Sequence, residues 1–300
     1  MAHSPGLNRS LKTWLQLFRA PNLFTVPGDP LAGFLLVSAG GLSGRAFLAA
    51  GASLCFYSGG LLLNDLLDRE EDRRERPERP LPSGAVRGRV VLGAAIALGL
   101  SGLGLCALAG VAALEAGFCI VLCVGSYDAG LKRLPLLGAA AMGLCRGFSV
   151  LLGAAAASGS IFGNRALPAA LVTFFYIAAV TNLARRETRP GRASPAACWL
   201  PCLSLLAGGA VLVAGQRFRE PLFVAAFLLA CVATGWIAHR LRQPATPVPP
   251  AIGALIRALL FLQAAFCAAS PGGRSGTICA LVLLLLWPAS RYAGRRFAGS

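Results

Sequence analysis

The sequence predicts an all-α, polytopic transmembrane helical bundle of about nine to ten spans, and three observations predict it. The 300 residues are 56% hydrophobic and only 13% charged, far too apolar for a soluble globular chain. Apolar stretches near the ~20 residues of a bilayer crossing recur along the chain, broken by short segments rich in Arg, Pro and Gly. The basic residues fall unevenly on alternate connections, as short loops flanking membrane helices do.

The spans lie near 22–40, 45–64, 88–110, 111–126, 137–158, 164–185, 196–214, 220–238, 252–269 and 277–291. They are expected to pack as one integral-membrane domain over 1–300, with a cytoplasmic acidic and basic loop at 65–89. The segment from Leu7 to Ala20 reads as an interfacial amphipathic lead-in, and nothing before Leu11 resembles a signal-peptide core.

Of the 28 basic residues, 21 sort to one side, five (Arg45, Arg165, Arg217, Arg219 and Arg274) to the other, and Arg146 and Arg257 lie inside apolar spans. Both termini are therefore expected in the cytoplasm, with the lipid bilayer of a bacterial-type inner (plasma) membrane around the bundle. The net charge of +16 follows from this topology. Its short clusters form no continuous basic face, so nucleic acid is excluded as a partner. The ten cysteines lie in or beside apolar spans with no Cys-x-x-Cys pair, which fits packing and gives no metal or disulfide framework.

The acidic residues carry the strongest local signal, because seven of the twelve crowd into the stretch Asp65 to Glu78, at the end of the second span. On a helix, Asn64, Asp68 and Asp72 form one stripe along about 12 Å of axis. Carboxylates so placed suit magnesium, which takes a few protein oxygens and leaves positions for water and substrate phosphate. A solvated, salt-bridged helix end reads the same residues equally well, since Arg69, Arg73, Arg74, Arg76 and Arg79 alternate with the acids. The membrane edge and the stiff loop Arg76-Pro77-Glu78-Arg79-Pro80-Leu81-Pro82-Ser83-Gly84 favour an anion site.

A second polar turn on the same side offers Tyr127, Asp128, Lys132 and Arg133. Anchoring by positive charge is an equal reading of the two cations. Arg146 follows Gly143-Leu144-Cys145 inside an apolar helix, where an unpaired charge costs several kcal/mol. An acidic partner such as Asp128, or a bound phosphate, would satisfy it.

Together these residues resemble the UbiA superfamily of intramembrane prenyltransferases. Asn64, Asp68 and Asp72 match its Asn-x-x-x-Asp-x-x-x-Asp signature, and the loop at 76–84 is similar to the family's basic Pro-rich loop. The opening Arg19-Ala20-Pro21-Asn22-Leu23-Phe24-Thr25-Val26-Pro27-Gly28 and the turn with Tyr127, Lys132 and Arg133 are similar too. The resemblance covers roughly residues 11–190, and around Gly143-Leu144-Cys145-Arg146-Gly147 it looks closest to the EboC-like branch.

The resemblance implies a magnesium-dependent prenyltransferase. Asn64, Asp68 and Asp72 would hold Mg2+, with Asp68 and Asp72 catalytic, and Arg79, Tyr127, Lys132, Arg133 and Arg146 would bind an isoprenoid diphosphate whose prenyl group passes to an unknown acceptor. One departure matters: where the family has a second Asp-x-x-x-Asp, this chain reads Thr181-Asn182-Leu183-Ala184-Arg185-Arg186-Glu187-Thr188-Arg189. Arginines, namely Arg146, Arg185 and Arg186, are expected to replace a second metal, with Glu187 or Asp128 as residual ligands. The alternative is a catalytically degenerate binding or export component of a biosynthetic gene cluster. A secondary transporter would show a repeat of the acidic block in the other half, and the sequence has none.

Overall fold

A computed structural model describes residues 5–162, 165–185, 195–214, 220–243 and 246–297, and among these residues all regular structure is helical. Among the described residues, eight helices are long and apolar enough to cross a membrane. They are α4 (Gly44–Leu67), α6 (Gly88–Ala109), α7 (Val111–Ala129), α8 (Pro135–Ser158), α9 (Leu167–Ala184), α11 (Pro221–Leu241), α12 (Val248–Ala268) and α13 (Arg274–Phe297). α10 (Pro195–Ala214) carries a shorter apolar stretch, Ala196–Leu212. The chain is an integral, multi-pass membrane protein.

The first expected span needs correcting. Residues 22–40 are not one helix: α1 (Pro5–Leu17) leads into the single turn α2 (Ala20–Leu23), and α3 (Gly28–Val37) starts only after an interruption. Pro27 at the N-cap of α3 has no N–H to carry a ladder across the interruption, and the Thr25 carbonyl within it accepts from the Arg146 and Gln263 side chains instead of from a helix N–H. The segment 65–89 also differs from a simple loop. It contains the helix α5 (Arg69–Glu75), which stops at Arg76 because Pro77 disfavours helical backbone before it.

Two apolar cores share α8. One joins α3, α4, α6, α7 and α8, with Phe34, Phe56, Ile120 and Leu152 at its centre. The larger joins α3 and α8 to α9, α10, α11, α12 and α13, around Leu35, Tyr176, Phe223, Leu255 and Phe266. Because lipid is as apolar as leucine, such helices gain by close backbone approach more than by hiding from solvent. The crossing of α3 on α8 shows it: a Cβ on Gly33 would land on the Val150 carbonyl oxygen, and one on Gly153 on that of Pro30. That contact brings Asp29 beside Arg146. Between α6 and α7 the reversal rests on Gly110, whose φ of 136° only glycine adopts freely.

Candidate functional site at the membrane edge

The stripe read from the sequence exists in the backbone. One residue, Asp68, separates α4 from α5, yet the ladder runs on: Asp68 N–H donates to the Asn64 carbonyl at 2.9 Å, and Asp72 N–H to that of Asp68 at 2.8 Å. The side chains then part. The Lys132 ammonium bonds Asp68 Oδ1 and lies 3.5 Å from Asp128 Oδ1. Asn64 Nδ2 donates to the same Asp128 oxygen at 2.9 Å, while Arg79 Nη1 reaches both oxygens of Asp72 at 2.9 and 2.8 Å. Arg19, held at a left-handed φ of 45°, pairs with Asp65 at 3.3 Å.

Lys132 sits on a 3-10 turn, Leu131–Arg133, which follows α7. Burial works against its charge, but the hydrogen bond and attraction of Asp68, then of Asp128, outweigh it and hold its pKa above the ordinary lysine value. Arg133 on the same turn is exposed, and its main chain is engaged, the N–H by the Gly130 carbonyl and the carbonyl by Arg185. Arg185 ties this turn down, donating to the Leu134 and Arg133 carbonyls at 2.9 and 3.1 Å, so it serves the turn and not the acidic cluster. Arg186 and Glu187 lie outside the described residues.

Beneath the cluster opens a cavity of about 770 Å³, counting its mouth. Arg19, Asn64, Tyr127 and Asp128 line it with Phe56, Tyr57, Ile120, Val124 and Met142, so a charged rim stands over an apolar interior. Arg146 lines it as well, but away from the rim. Its Nε stands 2.8 Å from Oδ2 of fully buried Asp29, a close ion pair that is not aligned as a hydrogen bond. Its Nη2 donates to the Thr25 carbonyl at 2.9 Å, and Gln263 Nε2 donates to that carbonyl and to Asp29 Oδ1 at 2.7 and 2.6 Å.

The carboxylate partner of Arg146 is therefore Asp29, not Asp128, and sequence reasoning missed it. The signal was present: Asp29 and Arg146 are a lone acid and a lone base within apolar spans, each costly alone. The pairing of Arg19 with Asp65 had no such signal.

Among the described residues no three His, Cys, Asp or Glu side chains gather as a metal site. What the rim offers is two carboxylates, Asp68 and Asp128, bridged by Lys132 and backed by Asn64, with Asp72 and Arg79 one turn on. The carboxylates and the Asn64 amide oxygen are hard oxygen donors, the kind magnesium takes when substrate phosphates complete its shell.

Fold and rim define a class: a polytopic helical membrane protein with a charged, carboxylate-bearing edge over an apolar cavity. More particularly, the chain belongs to the UbiA prenyltransferase family, whose model matches residues 30–188. A digeranylgeranylglyceryl phosphate synthase of Sulfolobus acidocaldarius is 28% identical over 166 residues, 55% of this chain and 60% of that relative's length. The apo structure of a UbiA homolog from Aeropyrum pernix K1 superposes with a TM-score of 0.66 at 19% identity, covering 81% of this chain and 96% of that one. A UbiA homolog from Archaeoglobus fulgidus bound to GPP and Mg2+ gives 0.60 at 18% identity, over 85% and 99%. These comparisons support the family and not the EboC-like branch in particular.

Proposed function

We propose that this chain is an integral-membrane prenyltransferase that binds an isoprenoid diphosphate through Mg2+ and transfers its prenyl group to an acceptor. The observation that carries the reading is the position of the Asp68–Lys132–Asp128–Asn64 cluster at the mouth of an apolar cavity. The A. fulgidus homolog bound to GPP and Mg2+ and the synthase relative support it.

Asn64, Asp68 and Asp72 would hold Mg2+, joined by Asp128. When bound, the ion would neutralise charge on the diphosphate leaving group. Lys132 and Arg79 would turn from their carboxylates to the phosphate oxygens, and Arg19 and Tyr127 stand beside them on the cavity wall. The allylic C–O bond breaks with its electron pair leaving on the diphosphate, the acceptor forms the new bond to that carbon, and the acceptor's proton is released. The apolar wall keeps water from the carbocation. Arg133 would act as an outer cation at the rim.

The 21-to-5 basic split supports both termini in the cytoplasm of a bacterial-type inner membrane, with 1–300 acting as one domain. Terminal reporter tags test the orientation, and an extracytoplasmic C-terminus refutes it. A second reading, a binding component without turnover, is favoured by the lack of a second Asp-x-x-x-Asp in the sequence. Purified protein with magnesium and labelled geranyl diphosphate separates the two, since diphosphate release means enzyme and retention without release means binding protein.

A further inference from the structure

We propose that Arg146 forms a second subsite of the cavity, which takes a hydrogen-bond-accepting oxygen of the acceptor substrate, with Asp29, Thr25 and Gln263 positioning its guanidinium. The inference rests on the prenyl-transfer reading and deepens it by assigning the acceptor side of the site.

The guanidinium is gripped from behind. Nε faces Asp29 and Nη2 bonds the Thr25 carbonyl freed by the break between α2 and α3. Asp29 and that carbonyl are themselves fixed by Gln263 from α12. Nη1 has no hydrogen bond among the described residues, and unlike Nε it is not sealed from space, so on this cavity-lining side chain it is the donor left to the cavity. A planar guanidinium locked on two edges presents its third in a fixed direction.

Charge decides what that edge receives. Arg146 is already neutralised by Asp29, so it adds a directed hydrogen bond and almost no net positive field, which suits a hydroxyl, carbonyl or ether oxygen better than a diphosphate. The other cations of the site stand elsewhere: Lys132, Arg79 and Arg19 pair with Asp68, Asp72 and Asp65 at the rim, whose side chains are 26%, 9% and 12% exposed against 0% for Asp29. Arg146 lies eleven residues into α8, about 16 Å along its axis from the turn that carries Lys132. Phe56, Tyr57 and Met142 share its cavity, so the acceptor is a largely apolar molecule with a polar oxygen to place.

The test uses the full chain in lipid nanodiscs with two probes, geranylgeranyl diphosphate with magnesium and radiolabelled geranylgeranylglyceryl phosphate. Arg146→Gln alone strands the Asp29 charge, so the double variant Asp29→Asn with Arg146→Gln, which keeps the knot neutral, is measured beside it. Arg146→Lys, which retains an ion pair but lacks the free edge, is the third. In variants that keep the wild-type melting temperature, the glyceryl phosphate should bind on the order of ten-fold more weakly while the diphosphate binds as before, the loss expected for one charge-assisted hydrogen bond. Unchanged affinity for the glyceryl phosphate overturns the subsite, as does wild-type protein that does not bind it saturably. A parallel loss for both probes also overturns it and assigns Arg146 to the diphosphate. If the affinities split as expected but wild type releases no diphosphate, the subsite stands and the enzymatic reading falls.

Discussion

Two charged clusters lie in this molecule, one at the rim and one in the helix core, and they are built on opposite principles. At the rim each carboxylate meets a cation on a flexible or turn-borne side chain, with the Asp68 side chain 26% exposed and that of Lys132 18%. In the core, Asp29 is 0% exposed and its partners arrive from α8 and α12. The Asp68–Lys132 pair can exchange its partner for an incoming anion or metal because its partial exposure lets water stabilise the charges meanwhile. The core pair cannot, since separating it would leave a bare charge where nothing solvates it. The same kind of contact is thus a replaceable placeholder in one region and a fixed structural joint in the other.

The sharpest way to break this contrast is to remove one member of the core pair. Arg146→Ala should destabilise the protein by about 3–5 kcal/mol, the cost of a stranded buried charge, read as a large fall in melting temperature. Asp29→Asn combined with Arg146→Gln should recover most of it. A mild effect of the single change would mean that the core is wetter than its burial implies.

At the rim the order of effects reverses, with binding lost and fold kept. Asp68→Asn should weaken magnesium-dependent diphosphate binding on the order of 100-fold, as loss of a charged ligand does, with little change in melting temperature. Glu78→Gln, out in the Pro-rich loop, serves as the control. Equal losses for both would reduce the rim to a general acidic surface.

Acidity gives a finer probe. The raised pKa of Lys132 means that its pairing contributes fully below the ordinary lysine value of 10.5 and is lost only as pH climbs beyond it. Diphosphate-free protein titrated from pH 8 to 12 should hold its stability past 10.5 and then decline, and Lys132→Met should remove that share of the decline. A decline complete below 10.5 would contradict the pairing. The smallest effect belongs to Arg185→Ala, which removes the side-chain bonds to the Arg133 and Leu134 carbonyls at the end of the 131–133 turn. It should cost about 1 kcal/mol or less and show as faster hydrogen exchange in that turn alone.

Much of the molecule was legible beforehand because lipid imposes a strict pattern. Any chain that crosses a bilayer must hydrogen-bond its backbone internally, so runs of apolar residues announce helices without knowledge of their neighbours. The acidic stripe was equally local: Asn64, Asp68 and Asp72 share a face through helical spacing alone. The break at 24–27 was harder to see, for Pro21 and Pro27 read as well as helix starts within one span.

By itself, then, the sequence determined the helices, the lopsided charge and the grouping of carboxylates at one membrane edge, all consequences of spacing along a single chain. Only the tertiary structure decided which charges meet. Lys132 is 64 residues from Asp68, and Gln263 is 234 from Asp29. Arg146 finds its acid only because Gly33 and Gly153 let α3 and α8 approach backbone to backbone. An ion pair depends on a few ångströms in three dimensions, and the packing of distant helices sets that distance where helical periodicity cannot.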